Sequence, residues 1–193
     1  MKVLDLVQGS DQWHEHRKNG KNASEASIMF GNSTNIGREE LIKFKALGLE
    51  QEVSDFVKNI VFEKGHEVEE LARPIIEKQF EIDLFPVVAT SEDGYLSASF
   101  DGITFCHSTI WECKQINKKK LSFIQNYHEV PEEDYWQVVQ QFAVSGVEKC
   151  IYTITDGTEE GTHSIVVERN DDDIDLLRAH WAQFDKDVKN YEY

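Results

Sequence analysis

Three residues within Leu96–Lys114 (LSASFDGITFCHSTIWECK) have types and spacings that can do chemistry: Asp101, Glu112 and Lys114. Residues 96, 98 and 100 alternate with small polar ones, which reads as a strand, and Asp101-Gly102 supplies a turn signal after it. A second short run, Thr109-Ile110-Trp111, leads into Glu112-Cys113-Lys114. Read as a hairpin, Asp101 ends the first strand. Glu112 and Lys114 then share one face of the second, because side chains two apart point the same way. Two carboxylates and an ammonium would occupy one small volume. Carboxylate oxygens suit Mg²⁺, and a neighbouring Lys can orient or deprotonate a water. The alternative is an exposed hairpin with a cross-strand ion pair, which is common and nearly neutral in energy. Against that alternative, both charged positions follow partly apolar runs that enter a core, where charge is costly unless it has a task.

The chain around this stretch has 193 residues, which fits one domain over 1–193 with a sizeable core. It is 40% hydrophobic and 11% aromatic, as a globular chain is. No apolar run approaches a membrane span and the N-terminus lacks the apolar segment of a signal peptide, so a cytoplasmic protein without membrane contact is expected. Cys106, Cys113 and Cys150 lack paired spacing and read as reduced thiols. A formal net charge of −16 argues at first against nucleic acid, because phosphate affinity comes from Lys and Arg. The acid is uneven, however, concentrated at residues 132–134, 159–160 and 171–175, while basic residues gather at 17–21 and 114–120. Binding follows the local patch rather than the total.

The elements that must position the hairpin follow from periodicity. Ser10 or Asp11 caps a short helix on which Trp13 and Arg17, four apart, share a face. Asn22–Ala26 holds a second cap, with Ser24 opening a helix through Phe30. A hydroxyl there beside an Arg can hold a phosphate or can be plain capping. Arg38–Leu47 is a helix stopped by Gly48. Phe56–Phe80 is largely helical, with a core-facing stripe from Val68 to Phe80 and Pro74 expected to kink or restart it. Ile82–Thr90 reads as an edge strand because of Pro86. Leu121–Pro131 is a loop or short helix, and Asp134–Gly146 a helix with Gln137 off its buried face. Residues 149–155 and 162–168 are two strands, and residues 171–191 a helix capped by its leading Asp residues.

With these elements placed, the chain resembles the PD-(D/E)XK nucleases, with Ser-Phe-Asp-Gly where Pro-Asp would stand and Glu-Cys-Lys as the second half. More specifically it resembles the lambda-exonuclease-like phage recombination nucleases, the YqaJ viral recombinase group. Four blocks in order carry the likeness: Trp13, Arg17 and Ala23-Ser24; Gly65, Glu69, Ala72 and Arg73; Ser99, Asp101, Gly102, Glu112 and Lys114; and Tyr135 through Gly146.

The resemblance implies an α/β (α+β) fold with a restriction-endonuclease-like core, a central mixed β-sheet flanked by helices. It implies Mg²⁺, or Mn²⁺, held by Glu69, Asp101, Glu112 and the carbonyl of Cys113, with Glu67 an alternative to Glu69. Lys114 would position or activate the attacking water, Gln137 would orient Lys114 or that water, and Arg17, Ser24 and Ser99 would form a 5′-phosphate pocket. The implied activity is 5′→3′ exonuclease digestion of double-stranded DNA ends, leaving 3′ single-stranded tails. A homotrimeric ring and a single-strand-annealing recombination protein are the implied partners, in a phage or prophage setting. Two other readings compete: a structure-specific endonuclease or nickase on the same core, and an inactive acidic scaffold. The iron–sulfur nucleases of this fold need four cysteines, and the chain has three.

Overall fold

The computed structural model describes residues 1–33, 36–49 and 63–192. Among these residues, six strands form one sheet in sequential order: β1 (Lys2–Leu4), β2 (Phe85–Thr90), β3 (Ser97–Ile103), β4 (Thr109–Gln115), β5 (Lys149–Thr155) and β6 (His163–Glu168). All neighbours are antiparallel except β4 and β5, which run parallel from Thr109↔Lys149 to Gln115↔Thr155. A parallel pair needs a crossover, and α4 (Lys118–Tyr127) and α5 (Glu132–Ser145) provide it. The other helices are α1 (Asp11–Asn19), a 3₁₀ helix (Ala23–Phe30), α2 (Arg38–Leu47), α3 (Glu63–Phe80) and α6 (Asp171–Lys189).

The sheet is covered on both sides. The larger core packs Leu96, Phe100, Ile110, Tyr152 and Ile154 against Val138 and Phe142 of α5 and Leu177 and Trp181 of α6. The smaller core packs Trp111 and Ile151 against Ala72 and Ile76 of α3. Consecutive residues of β4 thus serve opposite cores, Ile110 one and Trp111 the other, as the alternation of a strand requires.

Several expectations are corrected. Gly102 lies inside β3, paired with Trp111, and the hairpin turns three residues further on, at Phe105–Ser108. Gly102 is there for close approach: a Cβ would stand 3.0 Å from Leu84 and 3.2 Å from the Trp111 ring. Asp101 therefore sits within a strand rather than at its end. β2 is an inner strand, because the three residues of β1 pair with it, and Pro86 falls where the β2–β3 register shifts, so its missing N–H breaks no ladder. Pro74 neither ends nor restarts α3, which is one helix from Glu63 to Phe80. The expected start of that helix at Phe56 lies outside the described residues. The element at Ala23 is 3₁₀ rather than α and is capped by Asn22, whose N–H donates to Glu25. Residues 118–127 form a definite helix, and α6 is capped by Asn170, with the Asp residues filling its first turn.

Candidate functional site

β3 and β4 part company beyond the Gly102↔Trp111 pair, since β4 continues to Gln115 beside β5 while β3 runs back to Ser97 beside β2. Backbone groups facing the gap lose their ladder partners, and side chains replace them. The Asp101 carboxylate accepts from the Cys113 N–H at 2.8 Å, and Arg73 donates to the Asp101 carbonyl at 2.6 Å. Asp101 is thus fixed by the sheet's own defect, an arrangement its sequence pattern alone does not show.

Glu112 lies one residue beyond the split and is 1% exposed. Its Oε1 accepts from Lys114 Nζ at 2.5 Å and from Gln137 Nε2 at 2.6 Å, and Lys114 also donates to Gln137 Oε1 at 2.9 Å. Gln141, one turn along α5, donates to Glu112 Oε2. Glu69 arrives from α3, its Oε1 held by Arg73 at 2.6 Å. Glu67 is exposed and lies across α3 from that position, since residues two apart on a helix face apart.

The electrostatics follow from crowding. Burial pushes the Asp101 carboxyl well above the usual range, and the charges of Glu112 and Glu69 push it further, against Lys114. Burial also raises Glu69, with Arg73 and His66 opposing. Burial works against the Lys114 ammonium, but Glu112, Asp134 and Asp101 outweigh it and raise its pKa. An ammonium so held donates hydrogen bonds and does not accept a proton near neutral pH. Cys113 is half-buried with its thiol raised by burial. Cys106 is exposed and Cys150 buried, and all three are free.

Hard oxygen donors from Glu69, Asp101 and Glu112 fit a divalent cation such as Mg²⁺ in kind. Among the described residues, no three His, Cys, Asp or Glu side chains already surround a common point as a closed cage would. Arg73 on Glu69 and Lys114 on Glu112 each occupy one carboxylate oxygen, and the second oxygen of Glu69, like Oδ1 of Asp101, is not used by those bonds.

A second cluster adjoins the first. Arg17 donates to Ser24 Oγ at 2.8 Å, and its guanidinium stacks 4.5 Å from the centre of the Trp13 ring. The Trp13 indole N–H donates to Ser99 Oγ at 2.9 Å. Arg17, Ser24 and Ser99 are therefore drawn together, with Trp13 as the link. Ser99 precedes Asp101 by two residues, roughly 7 Å along the strand. Burial lowers the Arg17 pKa, with Glu25 opposing.

Gln141, Arg73 and Trp13 take part in the site without any role that their sequence positions assign them. Gln141 could have been found as the residue one helical turn after Gln137, and Arg73 as the cation one turn after Glu69. Nothing in the sequence announces that the Trp13 indole reaches β3.

This geometry can be set beside known proteins. Residues 12–148 match the model of the YqaJ-like viral recombinase domain. The chain belongs to that family. Its fold is also that of an alkaline exonuclease (LHK-Exo) from Laribacter hongkongensis, with a TM-score of 0.74 at 19% identity over 93% of each chain. The same exonuclease solved in complex with dAMP gives 0.72 at 19% identity, over 93% of this chain and 95% of that one. A phage-related exonuclease from Haemophilus somnus 129PT gives 0.63 at 12% identity, over 88% and 93%. No curated protein sequence matches this chain significantly. The expected mixed sheet flanked by helices is thus the fold of this YqaJ-like chain. Among the described residues, no helix is long and apolar enough to cross a membrane.

Proposed function

We propose that this YqaJ-like protein is a metal-dependent deoxyribonuclease that degrades one strand of linear duplex DNA from its 5′-phosphorylated end. The observation that supports it most is the adjacency of the two clusters. A carboxylate site with a fixed ammonium stands two residues along β3 from an Arg–Ser–Ser pocket suited to a terminal phosphate, about the reach of one nucleotide. The dAMP complex of the similar alkaline exonuclease agrees with a nucleotide-handling site on this fold.

In this reading Glu69, Asp101, Glu112 and the Cys113 carbonyl would hold Mg²⁺ or Mn²⁺. The ion would supply Lewis acidity that lowers the pKa of an attacking water and offsets charge on the phosphodiester. Lys114, kept charged, orients that water by hydrogen bonding rather than by taking its proton, and Gln137 fixes Lys114 against Glu112. Arg17 grips the terminal phosphate as a rigid fork braced on Trp13, while Ser24 and Ser99 turn their hydroxyls toward it. A 5′→3′ polarity belongs to the same reading, in which a 5′-phosphate docked beside Ser99 would set the next phosphodiester at Asp101. A homotrimer enclosing the duplex and an annealing partner for the 3′ tail belong to the same proposal, as ring closure would hold DNA on so acidic a chain.

The test is digestion of linear duplex and of covalently closed circles, each with Mg²⁺ and with EDTA. The proposal expects Mg²⁺-dependent release of nucleotides from the linear substrate alone. Equal cutting of closed circles would make the protein an endonuclease, and no cleavage under Mg²⁺ or Mn²⁺ would overturn the reading.

A further inference from the structure

Gln141 is 0% exposed, and its amide has one permissible orientation. Its two neighbours are both acceptors, Glu112 Oε2 at 2.5 Å and the Ser99 carbonyl at 3.5 Å, so the NH₂ group must face them. That orientation leaves Oε1 buried with no hydrogen-bond partner, the one such side-chain atom among the described residues. A buried acceptor without a donor costs stability, and flipping the amide to find a donor would break the bond to Glu112. The neighbouring Gln140, also fully buried, is by contrast fully engaged: it donates to the Lys21 and Ser97 carbonyls and accepts from the Trp181 indole. Two adjacent glutamines on one helix thus divide the work, one knitting the fold and one spending a polar atom to hold a carboxylate.

The structure assigns Gln141 as a positioning residue: it fixes the Glu112 carboxylate for divalent-cation binding, and this role rests on the metal-dependent reading above. Gln137 and Lys114 both bind Oε1, so they leave the carboxylate free to swing about that oxygen. Gln141 alone among these three holds Oε2. It sets the plane of the group and leaves on Oε2 an acceptor position that Oε1 lacks. Through Ser99, the same amide ties the orientation of Glu112 to the strand that carries Asp101.

The experiment is calorimetric titration of EDTA-stripped protein with Mn²⁺ in the absence of DNA, comparing wild type with Gln141→Met and Gln141→Asn. Methionine keeps the volume and removes the donor, while asparagine keeps the amide but falls a methylene short. Both variants should weaken Mn²⁺ binding by about 10- to 100-fold, the usual cost of losing a group that orients a metal ligand. Thermal melts in EDTA separate this role from a structural one. A residue needed only for packing would lower the melting temperature while the surviving folded protein bound Mn²⁺ as tightly as wild type, and that result overturns the assignment. Should Gln141→Met not fold, Gln141→Asn answers alone. Wild-type protein that bound no Mn²⁺ would overturn the metal-dependent reading itself, and the assignment with it.

Discussion

Replacing Asp101 by asparagine should destroy activity and yet stabilise the metal-free protein. The ionised carboxylate is buried beside Glu112 and Glu69, whose repulsion the Lys114 ammonium and the Cys113 N–H oppose. Asparagine keeps an oxygen for the Cys113 N–H and removes the repulsions. At an effective dielectric constant near 20, like charges about 5 Å apart repel by about 3 kcal/mol. Two such repulsions, less one attraction of similar size to Lys114, leave a net gain of about 1–3 kcal/mol. For a chain of this size that is about 2–12 °C in melting temperature. The pH dependence fixes the sign. A carboxyl whose folded pKa is raised binds its proton more tightly in the folded state, so stability falls as pH rises from the unfolded value, about 4, through the folded one. The advantage of Asp101→Asn should therefore vanish at the acid end of that window and reach its full size above the folded-state pKa. Saturating Mg²⁺ should stabilise the wild type by about 3 kcal/mol at a hundredfold excess over Kd, raising its melting temperature, and leave the variant unmoved. Melts by circular dichroism in EDTA between pH 5 and 8 measure this. A variant less stable than wild type at pH 8 would refute the reasoning, because the carboxylate would then be a net stabiliser of the fold.

Other perturbations probe the flanking groups. Arg17→Gln should cost a charge-assisted contact of about 1.5–3 kcal/mol, or about 10- to 150-fold in kcat/KM, on 5′-phosphorylated ends and little on 5′-hydroxyl ends. Equal loss on both ends would remove Arg17 from phosphate recognition. Arg73→Met should destabilise the protein by about 3 kcal/mol, because it strands Glu69 and frees the Asp101 carbonyl, and Glu69→Gln in that background should return part of the loss. A double-mutant cycle by chemical denaturation measures the coupling.

The pieces of the site that were legible in the sequence are those written as local pattern. Glu112 and Lys114 share a face by strand alternation, and the α3 stripe that brings Glu69 to the sheet follows a helical period. Gly102 misled because Asp-Gly is a turn signal in isolation, whereas here the missing side chain makes room for Leu84 and Trp111. The status of β2 depended on the three residues of β1, too few to show a period and remote in sequence. The splitting of β3 from β4, which aims Asp101 at the Cys113 N–H, is a tertiary fact with no local signature. Gln141 was hidden for the same reason. A glutamine one turn from another is ordinary until a buried carboxylate is placed against it.

The most direct measurement uses linear duplex labelled at one end and bearing either a 5′-phosphate or a 5′-hydroxyl, with wild type and Lys114→Ala compared in Mg²⁺ and in EDTA. The account predicts Mg²⁺-dependent nucleotide release that is fastest from the 5′-phosphorylated strand and lost in Lys114→Ala. Release from 3′ ends, or undiminished digestion by Lys114→Ala, would contradict it.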